Sequence, residues 1–361
     1  MSEMQQNRAL EQLRASLDSK EARRLAIMAQ VKAKFLKTAR YDNLREAVDT
    51  LRNHLLTPRN DKKPLAPGNR REAKALTLIG EAGAGKSWIL DRVFLDHPAF
   101  PDFGNPEVIG NLVSLRVPAP TSFGHLGCEV LKALGYPIEF NSRTRSDVWS
   151  LIHDRIRMLG VTMIHFDEMH NVVLKANTVD RTETQNAIKN LMTSKDWPVS
   201  PIISGLPVLR HFLEQSQEDQ RRSLVQEMDP LVAPRDLAMM ASLCRSMLEI
   251  AELGCHGAIL QPLMPRLFHA GLYRLGICIE LMHEAIDIAL KQSSQDLERE
   301  HFVEVYWRRT GCAPVANPFL ISDWAVLDCT RVLPKEKISD PDDDTPAEKI
   351  KRHRNQRHRR S

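Results

Sequence analysis

Short apolar runs alternate with longer segments of helical periodicity through the first two thirds of the chain. The four runs are Ala75–Ile79, Val113–Val117, Val161–Phe166 and Pro201–Ser204. Short apolar runs separated by helical segments are typical of strands in βαβ units. The pattern therefore predicts an α/β fold, with a parallel sheet that carries helices on both faces.

Helical periodicity dominates on either side of this α/β region. Apolar side chains recur at helical spacing among arginines and lysines over residues 8–57, and beyond Asp236 the pattern is helical only, with a long amphipathic run at Ile277–Lys291. We therefore divide the chain into four parts: a helical N-terminal arm (1–60), an α/β core (61–235), a small helical lid subdomain (236–310) and an irregular extension ending in a charged tail (311–361).

Composition favours an ordinary globular protein. The chain has 361 residues, of which 42% are apolar, and its six cysteines are scattered without a Cys-x-x-Cys pair. No segment has the features of a secretory signal, and no apolar run approaches the roughly 18 residues of a membrane span. We expect a soluble, cytoplasmic protein in a reducing compartment, without membrane partners.

Charge is unevenly distributed, although the net charge is only +4. The stretch Thr57–Arg71 combines prolines with several basic residues and is interpreted as a linker. The C-terminal tail has an acidic part, Ser339–Glu348, followed by a basic part, Lys349–Ser361. We expect this tail to be disordered.

A phosphate-binding loop is indicated at Gly80–Ser87, which reads Gly-Glu-Ala-Gly-Ala-Gly-Lys-Ser. The loop follows an apolar run and precedes a helical segment, which is the context that the Walker A pattern requires. Glycines let backbone N–H groups point at phosphate oxygens, and the following helix presents its positive end. Lys86 would neutralise the β- and γ-phosphates, and Ser87 would ligate Mg²⁺. The predicted nucleotide contacts are Gly80, Glu81, Ala82, Gly83, Ala84, Gly85, Lys86, Ser87 and Trp88.

Two carboxylates, Asp167 and Glu168, follow the apolar run that begins at Val161. Ligands gather at the carboxyl ends of strands in open α/β sheets, so Asp167 would hold Mg²⁺ as the Walker B aspartate. Glu168 would orient the attacking water, because phosphoryl transfer is catalysed mainly by positioning and charge. His165 is interpreted as a core-strand residue, and His170 as a helix-cap or packing residue.

Three further positions have two interpretations each. Ser204, at the end of an apolar run, would contact the γ-phosphate or its attacking water, or else would form a turn. Arg221 and Arg222 would act as transition-state arginines at the site of a neighbouring subunit, or would belong to a solvated helix face. Arg274, at the head of the long amphipathic helix, would close onto the γ-phosphate, or would be a surface arginine.

The order of these features resembles the AAA+ class of P-loop ATPases over roughly residues 40–310. Several segments more specifically resemble the TniB family of transposition proteins, which are related to TnsC and IstB. These segments are Tyr41–Arg45, Leu55–Pro58, Arg116–Pro120, Leu131–Pro137, Asp167–Val173, Gln185–Leu191 and Ile203–Gly205.

The TniB resemblance implies an ATP- and Mg²⁺-dependent regulator of transposition. Such a protein would assemble as a homo-oligomer on duplex DNA, recruit or activate a DDE-type transposase and work with a TniQ-like adaptor. Basic residues of the arm, linker and tail would contact DNA phosphates without reading sequence. Two alternatives stay open: an AAA+ signalling or chaperone-like ATPase that acts on protein partners without DNA, and a nucleotide-binding scaffold without hydrolysis, against which Glu168 argues.

Overall fold

Three helices precede the sheet in the computed structural model, which describes residues 3–138, 147–212, 221–254 and 257–333. They are α1 (Glu3–Ala15), α2 (Ser19–Ala33) and α3 (Ala39–Leu55). Helix α2 begins after Asp18, whose carboxylate accepts a hydrogen bond from the backbone nitrogen of Glu21 in a capping box. Since α3 carries apolar residues at helical spacing, one of its faces is buried against the sheet domain.

A five-stranded parallel sheet forms the centre of the molecule, in the order β2-β3-β4-β1-β5. Its strands are β1 (Ala75–Ile79), β2 (Leu112–Arg116), β3 (Met163–Asp167), β4 (Ser200–Gly205) and β5 (Ser223–Glu227). Every residue of β1 and β4 is buried, which is why these inner strands appear in the sequence as continuous apolar runs. The predicted parallel α/β sheet is confirmed.

Strand β5 is not predicted by any apolar run. It pairs only with β1, at the edge of the sheet, and all its residues are at least partly exposed. An edge strand of this kind needs no continuous apolar sequence, and Ser-Leu-Val-Gln-Glu has none.

The sheet is flanked by helices that connect successive strands. These are α4 (Lys86–Asp96), α5 (Phe123–Ala133), α6 (Asp147–Leu159), α7 (His170–Lys175) and α8 (Thr178–Thr193). Together with α3 and the strands they enclose one hydrophobic core, in which Phe94 and Phe166 are fully buried.

The C-terminal part is helical and has a hydrophobic core of its own. It contains α9 (Leu237–Ala251), α10 (Gly257–Ala270), α11 (Leu275–Gln292) and α12 (Arg299–Thr310), followed by short 3₁₀ turns up to Val332. Phe319 from the region after α12 is fully buried in this core, and Met28 and Val31 of α2 are buried there too. The second core is therefore built from both ends of the described chain.

None of the helices in the described ranges is long and apolar enough to cross a membrane. The acidic and basic parts of the C-terminal tail lie outside the described residues.

Candidate functional site

The predicted phosphate loop connects the carboxyl end of β1 to the first turn of α4. Gly83 and Gly85 have φ angles of 76° and 92°, in the left-handed region that glycine adopts without strain. Gly85 is also the residue that precedes α4, and Lys86 is its first helical residue. The loop thus places the positive end of α4 at the carboxyl edge of the sheet, where an anion would be stabilised.

Lys86 is buried within this loop. Its Nζ donates to the carbonyl oxygens of Gly80 at 2.8 Å and of Glu81 at 3.1 Å. Burial lowers the pKa of Lys86, while the negative charges of Glu168 and Asp167 act in the opposite direction. Among the described residues no carboxylate forms an ion pair with Lys86, so its charge is available to a bound phosphate.

Asp167, the last residue of β3, accepts hydrogen bonds on both carboxylate oxygens. Ser87 donates to Oδ2 at 2.7 Å and Ser204 donates to Oδ1 at 2.5 Å. Burial tends to raise the pKa of Asp167, but the hydrogen bonds from Ser204 and Ser87, together with His165 and the backbone of Glu168, hold this pKa below its usual value. Carboxylate and hydroxyl oxygens are the ligands that Mg²⁺ prefers, so Ser87 and Asp167 fit a magnesium ion at the mouth of the loop.

His165 extends this network into the core. Its Nε2 lies 2.9 Å from the hydroxyl of Ser204, and its Nδ1 lies 2.9 Å from the hydroxyl of Ser114 on β2. Because the single hydroxyl proton of Ser204 goes to Asp167, Ser204 accepts from His165, whose Nε2 therefore carries the proton. Burial lowers the pKa of His165 to about 4, so the ring is neutral near neutral pH.

The role of His165 in this network is absent from the sequence interpretation, although a signal for it exists. His165 and Asp167 are two residues apart on one strand, and residues at that spacing point to the same face of a sheet. A polar side chain on the face that carries the Walker B aspartate therefore marks a candidate partner of the site.

Glu168 immediately follows β3 and has a left-handed φ of 59°, which is rare for residues other than glycine. Its Oε2 lies 3.5 Å from Nε2 of His170 and 4.0 Å from Nη2 of Arg116. The carboxylate also lines a small pocket together with Lys86 and Ser87. A strained backbone at such a position is consistent with a functional constraint, since it costs roughly 1–3 kcal/mol.

Arg274 lies against the phosphate loop, at the start of α11. Its Nη1 donates to the carbonyl oxygen of Ala82 at 2.9 Å, and its Nη2 lies 3.4 Å from Oε2 of Glu81. The backbone nitrogen of Ile277 also donates to the carbonyl oxygen of Gly83 at 3.2 Å. The structure therefore brings the amino end of α11 into direct contact with the loop.

Gly276 makes this contact possible. A Cβ atom at this position would lie 2.5 Å from the carbonyl oxygen of Gly83 and 3.2 Å from the backbone nitrogen of Gly85. Neither backbone atom can move aside without changing the loop. The close approach between α11 and the loop thus requires glycine at position 276.

An apolar cavity of about 330 Å³ opens beside the phosphate loop. Its lining comes from widely separated segments, among them Phe35, Trp88, Met228, Met239, Leu275 and Ile279. Trp88 is 44% exposed, and its ring centroid lies 5.0 Å from that of Phe35. Of these residues only Trp88 belongs to the predicted set, because the others have no common sequence motif.

Arg221 and Arg222 lie far from the residues described above. Both precede β5, whose first residue Ser223 pairs with Ala75 at the amino end of β1, whereas the phosphate loop follows the carboxyl end of β1. Arg221 is exposed, and Arg222 forms an ion pair with Glu72 at 2.5 Å. The structure does not bring either arginine to the site of its own chain.

Comparison with protein families gives a match over more than half of the chain. The family described as "Bacterial TniB protein" matches residues 32–227, which include the phosphate loop, Asp167, Glu168 and all five strands. No curated protein matches the chain.

Three solved archaeal structures share the fold. The Orc1 protein of Aeropyrum pernix, solved in complex with DNA, has a TM-score of 0.53 and 15% identity, with 79% of this chain and 69% of that chain covered. Cdc6p of Pyrobaculum aerophilum has a TM-score of 0.51 and 15% identity, with coverage of 74% and 67%. The ORC2 protein of Aeropyrum pernix has a TM-score of 0.50 and 11% identity, with coverage of 75% and 68%. The predicted AAA+ type of P-loop fold is confirmed.

Proposed function

The chain belongs to the bacterial TniB family, and we propose that it is an ATP-dependent regulator of transposition that assembles on duplex DNA. Family membership and the AAA+ fold support ATPase activity. The observation that carries the proposal is the convergence of Lys86, Ser87, Asp167 and Glu168 at the carboxyl edge of one sheet.

The phosphate loop would hold the triphosphate of ATP. Lys86 would move its ammonium from the carbonyls of Gly80 and Glu81 to phosphate oxygens, and the amino end of α4 would add its dipole. Ser87 and Asp167 would hold Mg²⁺, which supplies charge neutralisation during phosphoryl transfer. Ser204 and His165 would keep the Asp167 carboxylate in a fixed orientation.

Glu168 would orient and polarise the attacking water. No hydroxyl of the described residues donates to its carboxylate, whereas the carboxylate of Asp167 accepts from two hydroxyls. His170 and Arg116 lie within 3.5 Å and 4.0 Å of Oε2 and would restrict its direction. This arrangement suits a base whose position matters more than its strength.

The apolar cavity would receive the adenine base. It adjoins Gly83 and Gly85 of the loop, and a flat apolar ring would contact Phe35 and Trp88 there. Because α11 contributes Leu275 and Ile279 to the same cavity, the lid would be in contact with both the base and the phosphate loop. We infer that nucleotide binding and lid position are coupled through Arg274 and α11.

DNA contacts are proposed for the exposed cations of the segment before β1. Arg59, Lys62, Lys63 and Arg71 are exposed. Asn69 fixes this loop, since its side chain exchanges hydrogen bonds with Asn60 and also donates to the carbonyls of Lys63 and Pro64. A fixed cluster of cations suits phosphate contacts that do not depend on sequence. The basic tail, which lies outside the described residues, would add to them.

Assembly would bring Arg221 or Arg222 to the nucleotide of a neighbouring subunit. Their position at the amino end of β5 keeps both side chains away from the site of their own chain, where Arg274 and Arg116 lie. In the proposed function the assembled ATP-bound form recruits or activates a DDE-type transposase, together with a TniQ-like adaptor. ATP hydrolysis would limit the lifetime of the assembly.

The decisive experiment is electron microscopy of the protein with duplex DNA and a non-hydrolysable ATP analogue. We expect regular oligomers on DNA for the wild type and for Lys132→Ala, a surface control, and none for Lys86→Ala. Ordered assembly of Lys86→Ala at the wild-type level would refute the nucleotide switch.

A salt titration of DNA binding separates the proposal from an ATPase that acts on proteins alone. If phosphate contacts dominate, the logarithm of the association constant falls linearly with the logarithm of salt concentration, by about 0.9 per phosphate contacted. Absence of binding at low salt would favour the protein-directed ATPase. Deletion of Lys349–Ser361 measures how much the basic tail contributes to DNA affinity. Unchanged affinity would exclude the tail from the DNA-binding surface.

A further inference from the structure

A second cavity, of about 520 Å³, opens at the amino ends of the strands, whereas the nucleotide site lies at their carboxyl ends. Met163, the first residue of β3, lies in its wall, whereas Asp167 lies at the other end of the same strand. The walls are mostly apolar and include Leu55, Leu56, Leu65, Phe100, Met163 and Trp197. This cavity has no part in the nucleotide chemistry proposed above.

One cation, Arg70, is buried in the wall of this cavity. The residue is only 9% exposed, and its guanidinium carbon lies 4.7 Å from the centroid of the Trp197 ring. Its Nε donates to the carbonyl oxygen of Leu55 at 3.4 Å. Its two terminal nitrogens form no hydrogen bond with the described residues, and no carboxylate of those residues pairs with it.

The terminal nitrogens of Arg70 are nevertheless not enclosed by protein. Within the described part, neither belongs to the buried side-chain atoms that lack a hydrogen-bond partner, so each keeps some exposure to solvent, and Arg70 lines the cavity. Burial lowers the pKa of Arg70, without a compensating negative charge nearby. The second arginine of the wall, Arg52, is already paired with Asp49 at 2.8 Å. The cavity therefore contains one unpaired, partly desolvated guanidinium.

We propose that this cavity is the docking site for a segment of a partner protein that presents a carboxylate beside a large apolar side chain. A guanidinium matches a carboxylate with two parallel hydrogen bonds, and a partly desolvated site strengthens such a pair. An isolated buried cation is unfavourable until an anion joins it, so the free protein is left with a charge that the partner would neutralise.

The surroundings of Arg70 favour a peptide segment as the occupant. Leu56 and Leu65 at the cavity are 58% and 44% exposed, so the apolar surface continues beyond the guanidinium. A small hydrated anion would leave these leucines uncovered, whereas a peptide would bury them with its apolar side chain. Charge complementarity and apolar area thus point to the same partner chemistry.

Selection from a random peptide library displayed on phage tests the proposal. The full-length protein serves as the target, with counter-selection on Arg70→Met, which keeps an apolar side chain over Trp197 and removes the charge. We expect the selected peptides to share an Asp or Glu next to a large apolar residue. In calorimetry with the synthetic peptides, we expect affinity to fall by about tenfold or more for Arg70→Met, and similarly when the acidic residue becomes its amide.

Matched variants separate docking from a structural role. Arg71→Met removes a neighbouring exposed cation and should leave peptide affinity unchanged. The melting temperature of Arg70→Met should equal or exceed that of the wild type, because an unpaired charge is removed. A lower melting temperature together with unchanged peptide affinity would show that Arg70 only supports the fold.

Two further outcomes would overturn the proposal. Selected peptides without an acidic residue, or with equal affinity for wild type and Arg70→Met, would place recognition elsewhere. If Arg70→Met instead weakens duplex DNA binding and reduces its salt slope by about one contact, then Arg70 binds a DNA phosphate.

Discussion

The hydroxyl of Ser204 donates a hydrogen bond to Oδ1 of Asp167 at 2.5 Å, across the boundary between β4 and β3. The hydroxyl oxygen of Ser204 also accepts a hydrogen bond from Nε2 of His165, so the only proton of this hydroxyl is committed to the carboxylate. Contact with the γ-phosphate or its attacking water, one expectation from the sequence, would require this bond to break. In this arrangement Ser204 is best assigned as a positioning residue for Asp167.

Removal of the Ser204 hydroxyl should destabilise the protein. Ser204→Ala leaves the buried Nε2 of His165 without its described partner and removes one hydrogen bond to the half-buried carboxylate of Asp167. Loss of a buried hydrogen bond of this kind costs about 1–3 kcal/mol of unfolding free energy. The control is Ser200→Ala on the same strand, because the buried Ser200 hydroxyl has no hydrogen-bond partner in the described part of the chain. We expect Ser200→Ala to be neutral within about 0.5 kcal/mol. Urea unfolding measures both, and equal effects would show that the Ser204 network does not stabilise the fold.

His165 should make stability depend on pH. Its pKa is about 4 in the folded protein and 6.5 in the unfolded chain, so between these values the unfolded state binds a proton that the native state does not. The unfolding free energy therefore falls as pH decreases from 6.5 towards 4, by up to about 1.4 kcal/mol per pH unit for one proton. Near neutral pH His165 is neutral in both states, so it does not make the unfolding free energy depend on pH.

His165→Gln should remove the contribution of one proton from the slope of unfolding free energy against pH. A residual slope is expected, because burial also lowers the pKa of four other histidines in the described ranges: His54, His97, His153 and His283. Urea unfolding over the acidic range gives the slope for each protein. A variant with the full wild-type slope would mean that His165 does not titrate as described.

Glu168→Gln should separate nucleotide binding from hydrolysis. The amide keeps the size of the side chain but cannot accept a proton from water, so turnover should fall by about 10²–10⁴-fold. The affinity for a non-hydrolysable ATP analogue should change little, since Lys86, Ser87 and Asp167 are intact. Phosphate release and calorimetry measure the two quantities, with the surface variant Glu129→Gln as a control. Full turnover in Glu168→Gln would exclude Glu168 as the residue that activates water.

Gly276→Ala should displace α11 from the phosphate loop. The added methyl group would lie 2.5 Å from the carbonyl oxygen of Gly83, and overpacking of this kind costs about 1–3 kcal/mol. Nucleotide affinity should fall by about fivefold or more, because loop and lid no longer fit together. Gly68→Ala is the control, since its methyl group would meet nothing within 4 Å. Calorimetry with a non-hydrolysable ATP analogue measures binding, and wild-type affinity in Gly276→Ala would show that the contact is dispensable.

Sequence patterns predict those parts of the molecule that depend on contiguous residues. The inner strands and the two phosphate-site motifs, Gly80–Ser87 and Asp167–Glu168, each follow from a short segment with one physical requirement. Edge strand β5 does not, because all its residues are at least partly exposed and need not be apolar.

Features assembled from distant segments could not be predicted in the same way. The apolar cavity combines Phe35, Met228 and Ile279, which are joined only by the tertiary structure. The link from His165 to Asp167 depends on Ser204 from another strand. In both cases the contact depends on register and packing, which no local pattern encodes.

The burial of Met28 and Val31 in the C-terminal core affects how the protein can be dissected into fragments. Helix α2 packs with the lid, whereas α3, which is separated from α2 by five residues, packs with the sheet. Helices that are neighbours in the sequence therefore belong to different hydrophobic cores. In a fragment that begins at Asp236, the apolar surface that α2 covers would be exposed to water. Such a fragment would be prone to aggregation. An independently folding lid would require α2 to be supplied, either as a separate peptide or fused by circular permutation.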